Sequence, residues 1–113
     1  MHEMALAQTI VAMVAERARA EGSVAVRRIG IAVGALGHVE PEALAFCLQS
    51  AVRGSALEGA IFDISTPPGR GDCFDCMAEV AIAARGRPCP GCGGYALRIA
   101  AGDELKVTHM EIE

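Results

Sequence analysis

Apolar residues recur at helical spacing from position 3 to about 21. Leu6, Ile10 and Met13, with Ala7, Val11, Val14 and Ala18, form one stripe, and Gln8, Glu16 and Arg19 lie away from it. The pattern predicts an amphipathic helix that ends at Glu21-Gly22-Ser23, with Gly22 the breaker. Between 24 and 34 the period falls to two: Ile29, Ile31 and Val33 alternate with Gly30, Ala32 and Gly34, which predicts a strand. A loop follows to Glu40. Pro41 suits the first position of a second helix and Glu42 complements its dipole. Leu44, Cys47, Leu48 and Ala51 give that helix a buried stripe, and it stops near Gly54. A strand over 60–66 places Phe62 and Ile64 on one face.

Pro67-Pro68-Gly69 is hard punctuation and marks a module boundary. From there to about 101 the chain reads as short strands and glycine-rich turns around paired cysteines, closed by Gly102-Asp103. Leu105 to Ile112 is a last strand returning to the first sheet. Its alternation shifts phase, since Leu105 and Val107 share one face while Met110 and Ile112 share the other; a bulge reconciles the two halves.

With 113 residues, 52% of them hydrophobic, the chain fits one ordinary domain or a small domain with a smaller module attached. It has no Trp, one Tyr and three Phe, so the core is built from Ala, Val, Leu, Ile and Met. A net charge of −4 argues against phosphate backbones as the main partner. No apolar run reaches the roughly 18 residues of a membrane span, and the start lacks the features of a signal peptide. The expectation is a soluble cytoplasmic protein, not associated with membrane or nucleic acid. In that reducing compartment five cysteines point to metal or redox chemistry.

Cys73-Phe74-Asp75-Cys76 and Cys89-Pro90-Gly91-Cys92 are two C-x-x-C units separated by twelve residues. Zinc takes four ligands in a tetrahedron, each C-x-x-C makes two thiolates converge, and a hairpin between the pairs unites all four. Val80 and Ile82 form the outgoing strand, Arg85-Gly86-Arg87 the turn, and Pro90, Gly91, Gly93 and Gly94 the knuckle. With every position filled by cysteine no site stays open for water, so the predicted zinc is structural and the protein is not an enzyme. Cys47, on the buried stripe of the second helix, reads as a small core hydrophobe.

The opening Met1-His2-Glu3 has two readings. His2 is an exposed, frayed side chain, or it is a chelator. In the second case its imidazole and backbone nitrogen act with the terminal amine or the next amide, a planar nitrogen set that suits Ni(II) or Cu(II). Composition and spacing leave both open.

Taken together, these residues resemble the HypA/HybF-type nickel metallochaperones, which help insert nickel during maturation of [NiFe] hydrogenases. The matching pieces run in order along essentially the whole chain. They are the Met1-His2-Glu3 opening; Gly34-Ala35-Leu36 with Val39-Glu40-Pro41-Glu42-Ala43-Leu44 and Phe46; the cysteine pairs with Cys89-Pro90-Gly91-Cys92-Gly93; and Gly102-Asp103-Glu104-Leu105-Lys106-Val107 with the acidic end. The resemblance implies an α+β fold, two helices on a small three-stranded sheet with an inserted zinc-ribbon-like module. A nickel-binding domain would span 1–66, completed by 103–113, and a zinc-binding domain 67–102. It implies His2 as principal nickel ligand, with Glu3 and its amide assisting and Glu40 contributing from the loop before the second helix. It also implies Ni(II) as transferred cargo, Zn(II) as structural metal, a nickel-loading GTPase partner and the hydrogenase large-subunit precursor as recipient. Some relatives serve urease, and a homodimer is compatible with the pattern. Met77 departs from relatives, which often have a turn-type residue after the second cysteine. His38 and His109 match no family ligand and read as surface or packing residues.

Two competing functions fit less well. A nucleic-acid-binding zinc ribbon needs a basic patch with stacking aromatics, but residues 67–102 carry four Arg against two Asp and one Glu. Four thiolates around Zn²⁺ add about −2 to that formal +1. A thiol-disulfide oxidoreductase needs a thioredoxin-like βαβ setting, which the flanking sequence does not provide.

Overall fold

A computed structural model describes residues 2–113. Its elements follow in the order α1 (Glu3–Ala20), β1 (Val26–Val33), α2 (Pro41–Ala51), β2 (Ile61–Ser65), β3 (Gly69–Cys73), β4 (Ala78–Ile82), β5 (Leu97–Ala101) and β6 (Leu105–Ile112). Two three-stranded sheets form, ordered β2-β1-β6 and β4-β3-β5. The chain divides into two compact units, residues 1–31, 39–64 and 106–113 in one, 32–38 and 65–105 in the other.

In the first unit α1 packs on α2. Ala7, Ile10, Val11, Val14 and Ala18 of α1, Ile29 and Ile31 of β1, Leu44 and Leu48 of α2, and Val52 and Leu57 are all buried. The stripe on α1 is rotated from the expected one. Met13 is 52% exposed, whereas Glu3 is only 8% exposed. Burial in α2 concentrates on Leu44 and Leu48, and Cys47 and Ala51 are half-buried. The helix ends as its composition requires: the N–H of Ser23 closes on Ala18 O (2.9 Å) and Gly22 takes φ +84°.

The phase shift in β6 has a structural counterpart. Thr108 and His109 are consecutive exposed residues between the half-buried Leu105 and Val107 and the half-buried Met110 and Ile112. Both side chains come over Gly30, where an added Cβ would collide with the His109 ring and with Thr108 Oγ1. A regular pleat puts neighbours on opposite faces, so this same-side pair is the signature of a β-bulge. His109 thereby acts as a packing residue, its ring occupying the volume that glycine leaves free.

In the second unit β3 is central and antiparallel to both neighbours, with Gly71 opposite Val80 and Ile99, and Cys73 opposite Ala78 and Leu97. Residues 32–38, placed with the first domain on sequence grounds, cluster here. The cause is their backbone: Gly34, Ala35 and Leu36 donate N–H bonds to Glu104 O (2.7 Å), Pro67 O (2.9 Å) and Gly102 O (2.7 Å). A loop whose amides are claimed by a sheet margin packs with that sheet.

Met77, at φ 58°, is the one described non-glycine residue with positive φ, and its side chain is exposed. It follows the second cysteine of its pair, as Gly93 (φ 77°) follows Cys92. Both knuckles therefore turn through the left-handed region, which costs a Cβ-bearing residue roughly 1–2 kcal/mol. Met77→Gly should raise the stability of this unit by about 1 kcal/mol, after the loss from a more flexible unfolded chain. The denaturant midpoint of the metal-loaded protein checks this.

Candidate metal centre and N-terminal site

The ligand atoms of Cys73, Cys76, Cys89 and Cys92 all lie within 4.8 Å of one another. Two edges are 3.6 Å (Cys73 to Cys92) and 3.8 Å (Cys76 to Cys89). A tetrahedron with metal–sulfur bonds of about 2.3 Å has edges of about 3.8 Å, so two edges already match a thiolate-bound ion and the other sulfurs lie within about 1 Å of that geometry. The strands explain the convergence. Cys73 closes β3 and β4 begins at Ala78, so the first pair occupies a hairpin turn. The second pair is a closed loop in which Cys89 N–H donates to Gly94 O (2.7 Å) and Gly93 N–H to Cys89 O (2.9 Å). In each pair the first cysteine is buried and the second exposed.

The thiols are not equivalent. Backbone N–H groups of Cys92 and Gly91 point at Cys89 sulfur and draw its pKa down to about 7. The Gly91 N–H stands 3.3 Å from that sulfur. Cys76 is pushed up to about 12, mainly by the Cys73 thiol and then by burial. Crowded thiolates repel, and only a cation relieves this, which is why metal binding to such a site releases protons.

At the other predicted site, His2 is the N-cap of α1 and its side chain makes no capping hydrogen bond. Its carbonyl accepts the first helical bond, from Leu6 N–H (3.0 Å). The imidazole is exposed and has no partner among the described residues. Met1, whose amine the chelator reading invokes, lies outside the described residues.

Glu3 and Glu40 are brought together: the Glu40 N–H donates to Glu3 Oε2 at 3.3 Å. Glu40 is also the N-cap of α2, its Oε1 accepting from Glu42 N–H (2.9 Å) and Ala43 N–H (3.3 Å). Pro41 at N1 is the sequence signal for that cap. The burial of Glu3 had no signal of its own, because a carboxylate on the first turn of a helix is ordinarily solvated. Among the described residues the four cysteines are the group whose ligand atoms converge; His2, Glu3 and Glu40 do not form such a group.

The Glu40 N–H, then the N–H of Glu3 itself, lower the Glu3 pKa from its ordinary 4.5. A lowered folded pKa contributes stability above the unfolded value and loses it as pH falls through the folded value. Glu3→Gln should therefore lower stability at neutral pH, flatten the acid limb and leave the value below the folded pKa nearly unchanged, as denaturant midpoints at a series of pH values would read.

The sequence matches a family profile described as "Hydrogenase/urease nickel incorporation, metallochaperone, hypA" over residues 1–112. The chain belongs to the HypA family. It is 41% identical over 113 residues to the hydrogenase maturation factor HypA of Rhodopseudomonas palustris (strain BisB5), with 100% of each chain covered. It is 43% identical over 113 residues to that of Methylocella silvestris, again with full coverage of both. The solution structure of the Ni metallochaperone HypA from Helicobacter pylori superposes with a TM-score of 0.69 at 20% identity, covering 99% of this chain and 97% of the other. A second HypA solution structure gives 0.73 at 20% identity, covering 100% and 97%. At that identity the structures speak for the fold, and they agree with the expected α+β arrangement. HypA proteins are nickel-incorporation metallochaperones.

Proposed function

We propose that this HypA protein carries Ni(II) on its N-terminal segment and delivers it for [NiFe] hydrogenase maturation, while its four cysteines hold a structural zinc. The nickel reading rests above all on the start of α1. The first N–H groups of a helix have no intrahelical acceptor, so the amides of His2 and Glu3 stand outside the ladder, beside an imidazole with no other engagement. Imidazole and adjacent amide nitrogens make a planar field suited to Ni(II). Amide nitrogens bind only after losing a proton, which makes loading pH-dependent and reversible. Reversibility is what a carrier needs.

Glu3 and Glu40 are the carboxylates of this proposal, one holding the α1 start to the α2 cap and the other capping α2 through Oε1, while its Oε2 makes no hydrogen bond among the described residues. Zinc follows from the donor set, since four thiolates in a closed tetrahedron are its usual structural site. Residues 1–66 and 103–113 would carry the nickel site and 67–102 the zinc site, with residues 32–38 packing in the zinc-bearing unit. The partners proposed are a nickel-loading GTPase and the hydrogenase large-subunit precursor, with cytoplasmic residence and a self-associated form compatible with both. No described helix is long and apolar enough to cross a membrane.

Nickel titration of untagged protein tests the site. His2→Ala should weaken binding by more than the roughly 10–100-fold that loss of an outer-shell partner costs, and should abolish the visible band of planar Ni(II), with zinc content unchanged. Unaltered nickel affinity in that variant would sink the proposal.

A further inference from the structure

The sheet of the cysteine-bearing unit has two unlike faces. Residues directly opposite on neighbouring strands share a face, so Val80 and Ile82 of β4 lie with Leu97 and Ile99 of β5 over Gly69 and Gly71 of β3. The other face is charged and internally compensated, Arg70 pairing with Glu79 (3.1 Å) and Arg98 with Asp72 (2.9 Å). On the apolar face, the space above Gly71 is taken by the Ile82 side chain. A groove of about 190 Å³ remains, lined by Ile82, Arg85, Arg87, Tyr95, Leu97 and Ile99.

The two arginines on its rim are the ones this unit leaves without a carboxylate. Among the described residues neither Arg85 nor Arg87 has an acidic partner, whereas Arg70 and Arg98 both do. The two flank Gly86, whose φ of +82° turns the chain at this point. Arg85 is held in place, its Nε donating to Leu36 O at 2.8 Å. An oriented guanidinium loses little entropy when it takes a carboxylate, and the planar fork matches that group in two bonds. Tyr95 beside it is 72% exposed, a large amphipathic ring in water.

We propose that this groove docks an extended acidic segment of a partner protein, an aliphatic side chain entering over Leu97 and Ile99 while flanking carboxylates meet Arg85 and Arg87. Charge complementarity selects the occupant: an aliphatic floor with an uncompensated cationic rim fits an acidic, apolar peptide. Nucleic acid fits less well, because stacking needs aromatic platforms and this groove offers Tyr95 alone. The groove shares no residue with the proposed nickel ligands.

The experiment uses the full-length, metal-loaded protein and a fluorescent peptide of alternating Glu and Leu, followed by anisotropy. A peptide with Lys in place of Glu and a single-stranded oligonucleotide serve as comparisons. The Glu peptide should bind, and more weakly at high salt. Arg85→Glu combined with Arg87→Glu should weaken it about tenfold. Arg87→Glu alone, which breaks no bond in the fold, should weaken it about threefold. Arg53→Glu in the other unit should leave it unchanged. Metal content reports that each variant is folded. No binding of the Glu peptide, equal binding of the Lys peptide, tighter binding of the oligonucleotide, or wild-type binding by Arg87→Glu would each overturn the proposal.

Discussion

Stripping the metal from Cys73, Cys76, Cys89 and Cys92 with a strong chelator should unfold β3, β4 and β5 while α1 and α2 persist. The unit of residues 32–38 and 65–105 buries few aliphatic side chains. Ile82 is the buried aliphatic of its three strands, joined by Ala32 and Val33 at the end of β1, by Leu36 of the loop after it, and by the two cysteines Cys73 and Cys89. Each large side chain contributes roughly 1.5–3 kcal/mol, whereas ordering the backbone costs roughly 1–2 kcal/mol per residue. Hydrophobic burial cannot offset that cost here. A structural thiolate site supplies on the order of 10–16 kcal/mol at neutral pH, and most of it is folding free energy. The first unit has its own core of α1, α2 and β1 side chains and does not share this dependence. Backbone amide exchange before and after chelation checks the result. Protected amides throughout Gly69–Cys73 in metal-free protein would refute the dependence.

Gly102→Ala should cost about 3 kcal/mol or more. Gly102 has φ +96°, a conformation that side-chain-bearing residues rarely adopt. A Cβ there would also stand 2.5 Å from Pro68 O and from Gly69 Cα, both backbone atoms that cannot rotate aside. The left-handed backbone contributes about 1–2 kcal/mol and the overpacking about 1–3 kcal/mol. Gly54→Ala separates the two terms. Gly54 has φ +76° with nothing within 4 Å of an added Cβ, so only the conformational cost applies. Equal denaturant midpoints for the two variants would show that the crowding at Gly102 carries no energy. The stake is local as well as global, because Gly102 O accepts the Leu36 N–H that ties residues 32–38 to this sheet.

Much of this was legible in the chain because it rests on local periodicity and local chemistry. The alternation of Ile29, Ile31 and Val33 marks β1, Pro41 marks the start of α2, and the spacing of the four cysteines marks their convergence. Even the slipped phase of the last strand is visible as a break in alternation, since Leu105 and Val107 and then Met110 and Ile112 cannot share one face of a regular pleat.

Other features depend on which remote groups meet, and no local pattern encodes them. Glu3 reads as a solvated first-turn carboxylate, yet the N–H of Glu40, 37 residues on, draws it inward. Gly30 reads as one more small residue in a strand, and its reason is the His109 ring. Residues 32–38 read as part of the first domain until the amides of Gly34, Ala35 and Leu36 are seen on Glu104, Pro67 and Gly102. Arg85 and Arg87 read as turn residues; their lack of acidic partners emerges only when Arg70 and Arg98 are found paired across the sheet. Sequence alone thus determined the helices, the strands and the metal-binding chemistry, because those follow from side-chain period and donor type. The tertiary structure decided which polar groups are spent on the fold and which remain available, because hydrogen bonds and close packing between distant segments are properties of the folded chain.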